Sequence, residues 1–332
     1  MPTLPIRYRR RAATLALLGT ALLAAAPAQS QSPSQEFPSR PIRIVVGFGA
    51  GIGMEVSTRV MAELLSQEIG QPVIVENKPG AATMIAASAV ATAPKDGYTL
   101  LMLNNQTANN SLLYKKVPYK NSDFVPIAAG GLVSMVMVVS KTVPVATGRE
   151  FIDYARANPD KIFYGFWGAG GSPHLLAAQL SASTGLNLQG VGYKDPAQAT
   201  ADLVSGRIQL FFTSATHGLG LANAGHARIV AVGTPKRMPN LPDVPTFVES
   251  GIEGMPNPWW GYAAPAGTPP DVIRKLERAI KAAVASPRYQ AMLAQTGSVP
   301  LPADSPARFQ EFIDRDQEKW AAAIRPLKLE LD

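Results

Sequence analysis

Cysteine is absent from the 332 residues. Its absence excludes disulfides, thiolate metal sites, thiol catalysis and a lipid-modified N-terminal cysteine. Histidine is scarce: only His174, His217 and His226 occur, which argues against a zinc cluster. Nucleophile signatures are lacking as well, with no G-x-S-x-G and no clear acid–base pair. Charged residues make up only 17% of the chain, against 46% hydrophobic, the balance of a globular protein. Past the N-terminal region no apolar run approaches the ~20 residues that a membrane span needs.

What is present begins with a targeting pattern. Arg7, Arg9, Arg10 and Arg11 form a positive region, "AATLALLGTALLAAA" an apolar one, and Ala26-Pro27-Ala28 an A-x-A cleavage site. Residues 1–28 therefore read as a secretory signal peptide, removed from the mature protein. The paired arginines also suit the twin-arginine route, although the Ala-Ala-Thr after them favours the general one. The whole chain carries 31 basic and 24 acidic residues, +7; loss of the four signal arginines leaves 27 against 24, or +3. That excess is too mild to argue for nucleic acid. The expected product is a soluble periplasmic protein.

Residues 29–36 are a polar Pro/Ser-rich leader. "IRIVV", "PVIVE" and "YTLLML" then alternate with helix-like segments, a βαβαβ pattern that predicts a parallel sheet covered by helices. In the first helix Val56, Val60, Met61, Leu64, Leu65 and Ile69 follow helical spacing, with Gly70 as C-cap. A second α/β unit follows, from "IAAGGLVSMVMVVS", read as one or two strands, to "ARIVAVGT". Two amphipathic helices close the chain. The predicted division is 37–103 plus 232–332 for one lobe and 104–231 for the other. An extracytoplasmic protein with a doubled α/β layout suggests a hinged binding protein, its ligand at the carboxyl ends of the strands.

Two glycine loops follow strands. The first is "GFGAGIG", from Gly47 to Gly53. A dinucleotide fingerprint needs a glycine at its sixth position, which is Ile52 counted from Gly47 and Met54 counted from Gly49. Glu76, at the end of the second strand, stands where a ribose-binding acid would; the Walker pattern has no match. The remaining readings are a plain turn, or backbone N–H groups and a helix N-terminus receiving a small anion. Glu55 in the first helical turn suits the helix dipole, or a ligand amine or hydroxyl. The second loop, "FYGFWGAGGSPH", repeats the design, with Ser172 as an expected helix cap. His174 reads as structural. Phe166 and Trp167 either pack inward or stack on an aromatic ligand. "NNQTANN", from Asn104 to Asn110, is a solvated loop or a hydrogen-bonding wall.

The ordered series "FPSRPIRIVVGFGAGIGMEVSTRV", "QPVIVENKPGAA", "APKDGYTLLM", "LYKKVPY", "GAGGSPHLLAAQL", "VGYKDPAQATADLVSGRI" and "WWGYAAPAGTPPDVIRKL" resembles the Bug-type (TctC) extracytoplasmic solute receptors of tripartite tricarboxylate transport systems. The resemblance implies an α/β two-lobe periplasmic-binding-protein (Venus-flytrap) fold of type II-like form, each lobe a mixed sheet flanked by helices. It implies a monomer that binds a small organic carboxylate without catalysis, metal or cofactor and delivers it to membrane transporter subunits. Carried over, the ligand residues are Phe48, Gly49, Gly51, Gly53, Met54 and Glu55 in the first loop, and Phe166, Trp167, Gly168, Gly170, Gly171 and Ser172 in the second. Asn77, Thr107, Tyr193 and Lys194 complete the set.

The chain departs from the family's F-P-P-G-G-x-x-D loop: Gly49 and Ala50 replace the prolines, Ile52 a glycine and Glu55 the aspartate. Thr213 stands where an aspartate is usual. Polar groups are lost and apolar bulk gained, which points to an apolar or aromatic carboxylate. A receptor that signals to a membrane kinase and a secreted hydrolase are the alternative functions.

Overall fold

The computed structural model describes residues 37–50, 53–167 and 171–325. The expected signal peptide and leader, and Gly51, Ile52, Gly168 and Gly170 of the two loops, lie outside the described residues. From Arg40 onward the described chain carries two mixed sheets.

The first sheet starts as the sequence predicts. Strands β1 (Ile42–Val46), β2 (Val73–Asn77) and β3 (Thr99–Asn104) pair in parallel, with β1 central. Every residue of β3 is buried, as expected of a strand covered on both faces. Between β1 and β2 runs α1 (Gly53–Ile69), closed by Gly70 in the left-handed conformation at φ 69°.

The buried face of α1 keeps Met61 and Leu65 of the predicted apolar stripe, with Val60, Leu64 and Ile69 partly buried, but it extends to polar residues. Val56 is 38% exposed, whereas Glu55, Ser57 and Thr58 are buried with Met61, Ala62 and Leu65. The hydroxyls explain this. Ser57 donates to the Gly53 carbonyl at 2.7 Å and Thr58 to that of Met54 at 2.9 Å. Such local bonds satisfy polar groups that would otherwise be costly to bury.

The largest departure concerns "IAAGGLVSMVMVVS". It forms two strands, β4 (Phe124–Val133) and β5 (Met135–Ser140), which belong to different sheets. Strand β4 was assigned by sequence to residues 104–231 of the second lobe. It instead pairs antiparallel with β10 (Trp259–Pro265) in the first sheet. The turn-like pair Gly130-Gly131 lies inside β4 and not at Ser134, so the sequence pattern does not place the change of sheet. The glycines do give a physical reason: a Cβ at Gly130 or Gly131 would stand 2.5 Å from the Trp260 indole. Only glycine lets β4 pass so close to that ring.

The first sheet therefore runs β11–β4–β10–β3–β1–β2, where β11 is Ser298–Val299. The second runs β7–β6–β8–β5–β9, with β6 (Phe163–Trp167), β7 (Gln189–Tyr193), β8 (Leu210–Ser214) and β9 (Ala227–Val232). Strands β6, β7 and β8 are parallel and β5 is antiparallel to both β8 and β9. The chain passes from one sheet to the other at Ser134 and returns past Gly233, whose N–H donates to the Met135 carbonyl at 2.7 Å. Each lobe has its own apolar core, around Met137, Phe151, Leu176 and Phe212 in one and Leu101, Trp259, Phe309 and Ile313 in the other.

The helices that matter for the site are α3 (Asn105–Leu113), α5 (Ser172–Thr184) and the last described helix, α10 (Pro306–Ile324), which packs against both. Helix α2 (Met84–Ala91) follows a short turn after β2. The sequence predicted two helices at the C-terminal end; a third, Pro287–Gln295, lies between Pro270–Ala285 and α10.

Candidate functional site

A cleft of about 730 Å³ opens at the carboxyl ends of β1, β3 and β6. From the first lobe it is lined by Phe48, Met54, Ala82, Asn105, Gln106, Asn109, Leu113 and Tyr114. From the second come Trp167, Gly171, Ser172, Pro173 and Leu175; Pro258 and Trp320 complete the wall. Position follows from topology, since α/β sheets leave a crevice where strands end and helices begin.

First turns of α1, α3 and α5 all contribute: Met54 from the first, Asn105 and Gln106 from the second, Ser172 and Pro173 from the third. A helix N-terminus carries partial positive charge and unpaired N–H groups. No lysine, arginine, histidine, aspartate or glutamate lines the cleft among the described residues. What the described wall offers an anion is backbone dipoles and side-chain amides.

The first loop is held from behind. Asn77 donates to the Phe48 carbonyl at 2.9 Å and to Glu55 Oε1 at 3.4 Å, while its Oδ1 accepts from Arg59 at 2.9 Å. Glu55 is only 1% exposed and pairs with Arg59 Nε at 2.5 Å. Both Glu55 and Asn77 thus brace the loop and neither lines the cleft.

A second brace lies under Ala82. Three residues in succession, Ala81, Ala82 and Thr83, have positive φ of 44°, 50° and 72°. For L-residues each costs roughly 1–2 kcal/mol, and such strain persists only where surrounding contacts enforce it. Here the contacts are visible. Asn110 Nδ2 donates to the Ala82 carbonyl at 2.8 Å, and the Thr83 and Thr107 hydroxyls meet at 2.8 Å. Thr107, an expected ligand residue, is buried in this brace and does not line the cleft.

In the second lobe the two aromatics part ways. Phe166 stacks on His174 with ring centroids 4.0 Å apart and planes 10° apart. Burial pushes the His174 pKa down, consistent with a neutral ring in that stack. Trp167 lines the cleft and meets Phe211 edge-on at 6.0 Å. Ser172 lines the cleft too, but it is not the helix cap: Gly171 takes that position and Ser172 is the first helical residue.

The remaining expected residues stand elsewhere. Gly49 and Gly53 flank the lining residues of the first loop without joining them. Tyr193 donates to Asp202 at 2.9 Å, and burial followed by that carboxylate pushes its pKa up to about 12. Lys194 is exposed and away from the wall. Thr213, at the position of a family aspartate, meets His217 Nδ1 at 3.0 Å.

Sequence reasoning missed Asn105, Gln106 and Asn109, although it marked their stretch, and Leu113 three residues beyond it. The signal was available. Asn104 caps α3 through its Oδ1, which accepts from Thr107 N at 3.0 Å. With the helix started there, 105, 106, 109 and 113 fall on one face. Trp320, from the far end of the chain, had no local signal.

A family model described as "Tripartite tricarboxylate transporter family receptor" matches residues 57–329. Protein BugT of Bordetella pertussis is 31% identical over 94% of this chain and 96% of its own. Among solved structures, R. palustris Rpa4515 with adipate is 31% identical, covers 89% of this chain and all of its own, and superposes with a TM-score of 0.73. A TctC solute binding protein from Polaromonas reaches a TM-score of 0.78 at 27% identity, over 87% of this chain and 99% of its own.

Proposed function

Because the chain belongs to the tripartite tricarboxylate transporter receptor family, we propose that it is a periplasmic solute-binding protein for one small organic carboxylate with an apolar or aromatic body. The observation that carries this reading is the cleft itself. Helix N-terminal turns supply the attraction for one carboxylate, and Phe48, Trp167, Leu175 and Pro258 supply apolar contact for the rest of the molecule. The R. palustris relative holds adipate, a dicarboxylate, which supports a carboxylate ligand here but not the choice of its far end.

Binding is without turnover. His174, the imidazole nearest Ser172 in sequence, is committed to a ring stack. Capture is followed by delivery to the membrane subunits of a tripartite transporter, after export through the cleaved N-terminal signal. The protein acts as a monomer whose lobes close over the ligand.

Calorimetry with a panel of acids tests the proposal. Binding of benzoate-like or medium-chain carboxylates above citrate and glutamate is the expected result. Tight binding of citrate or glutamate, with none of the apolar acids, overturns it.

A further inference from the structure

One polar side chain in the cleft wall has no structural task. Asn109 is 4% exposed, and both its Oδ1 and its Nδ2 lack a hydrogen-bond partner. Its neighbours on α3 each have one end of the amide satisfied and the other not. Asn104 uses its Oδ1 to cap the helix, and Asn110 uses its Nδ2 on the Ala82 carbonyl and on Tyr119 at 2.9 Å. An amide buried with neither end satisfied is costly unless something else completes it.

We propose that Asn109 is a specificity-determining residue that selects carboxylates whose far end carries a neutral group able both to donate and to accept, a carboxamide or a hydroxyl. This rests on the carboxylate reading above and deepens it. Both amide atoms of Asn109 are covered in this structure, so the side chain must turn toward the cleft to meet a ligand; a carboxamide then satisfies Oδ1 through its N–H and Nδ2 through its oxygen at once. A hydroxyl does the same with a single atom. A second carboxylate can only accept, so it satisfies Nδ2 and sets its negative charge against Oδ1.

The rest of the wall points the same way. No cation lines it among the described residues. A second anionic group would enter a largely apolar site without a counter-charge. Asn105 and Gln106, one helical turn before Asn109 on the same face, offer further amides to a neutral group. A bare hydrocarbon end leaves Asn109 unsatisfied. Sites built around such a group discriminate strongly against ligands that lack the matching one.

Two matched series test the assignment by calorimetry on the intact mature protein. One is benzoate, 4-hydroxybenzoate, 4-carbamoylbenzoate and terephthalate. The other is hexanoate, adipate and the monoamide of adipate. In at least one series the amide or hydroxyl acid is expected to bind about tenfold tighter than both its hydrocarbon and its dicarboxylate counterpart. In Asn109→Leu that preference should fall to within about twofold. Flat rankings in both series, a dicarboxylate as the tightest ligand, or a preference that survives N109L overturns the assignment while leaving carboxylate binding intact. If the wild-type protein binds none of these acids, the carboxylate reading falls and this inference with it. The wild-type ranking decides the question even if the variant does not fold.

Discussion

Asn77, at the end of β2, holds the carbonyl of Phe48 at 2.9 Å, so the first wall of the cleft is suspended from a neighbouring strand. Asn77→Ala removes this bond together with those to Glu55 and Arg59. Stability should fall by about 1–2 kcal/mol. Ligand affinity should weaken as well, because Phe48 loses its support. Thermal denaturation and calorimetry on the same variant check both.

Glu55→Ala separates two roles for an acid in a helical first turn. Since Glu55 is buried against Arg59 and Asn77, its loss is expected to lower stability by about 1–2 kcal/mol and to leave ligand affinity within twofold. The figure is modest because Arg59 is half exposed and its charge is screened. A drop in affinity with unchanged melting would give Glu55 a direct ligand contact instead.

Trp167 lines the cleft while Phe166 is held in its ring stack. Trp167→Ala should therefore weaken binding of an aromatic acid by roughly 1–3 kcal/mol. Phe166→Ala should cost mainly stability, since it opens a gap beside His174 and Tyr164. Calorimetry and melting curves of the two variants, side by side, distinguish a wall residue from a packing one.

Ala82→Gly relieves a strained position at φ 50°. Glycine accepts this conformation freely, so net stabilisation by roughly 0.5–1 kcal/mol is expected after its greater unfolded-state entropy is counted. Urea denaturation checks it. Destabilisation would mean that the alanine methyl contributes more packing than the turn loses in strain.

Asp316, buried on α10, supplies a pH dependence. Burial raises its pKa to about 7, against the opposing hydrogen bond from Trp259 Nε1 at 2.5 Å. The folded pKa lies above the model-compound value of 3.8, so the folded protein holds this proton more tightly than the unfolded chain. Its stabilising contribution is full below about pH 4 and is lost as pH rises through about 7. Asp316→Asn should flatten that part of the stability profile, measured by denaturant unfolding between pH 5 and 8.

Much of the fold was legible because strands buried on both faces read as short apolar runs, as "IRIVV" and "TLLML" do. The change of sheet at Ser134 was not, because an apolar run looks the same whichever sheet it joins. The polar part of the buried face of α1 was hidden for a related reason: Ser57 and Thr58 satisfy their hydroxyls locally and so behave as core residues. In the site, Phe48, Met54, Trp167, Gly171 and Ser172, which the family resemblance implies as ligand residues, line the cleft. Thr107 enters by its match to the family, and a stretch read as a loop defines no face from which Asn109 could be singled out. Once α3 is recognised, Thr107 turns to the buried brace and Asn109 to the cleft.

Strand β10 lies in the middle of the first sheet, between β4 and β3, yet it comes from residues 259–265. A chain delivered from its N-terminus presents all of β5 to β9, residues 135–232, before that central strand exists outside the ribosome or the export pore. The second lobe is thus complete first, while β1 to β4 wait with two unpaired edges between β3 and β4. Truncation anywhere before residue 265 removes the strand that joins those halves, so C-terminal deletions should strike the N-terminal lobe hardest.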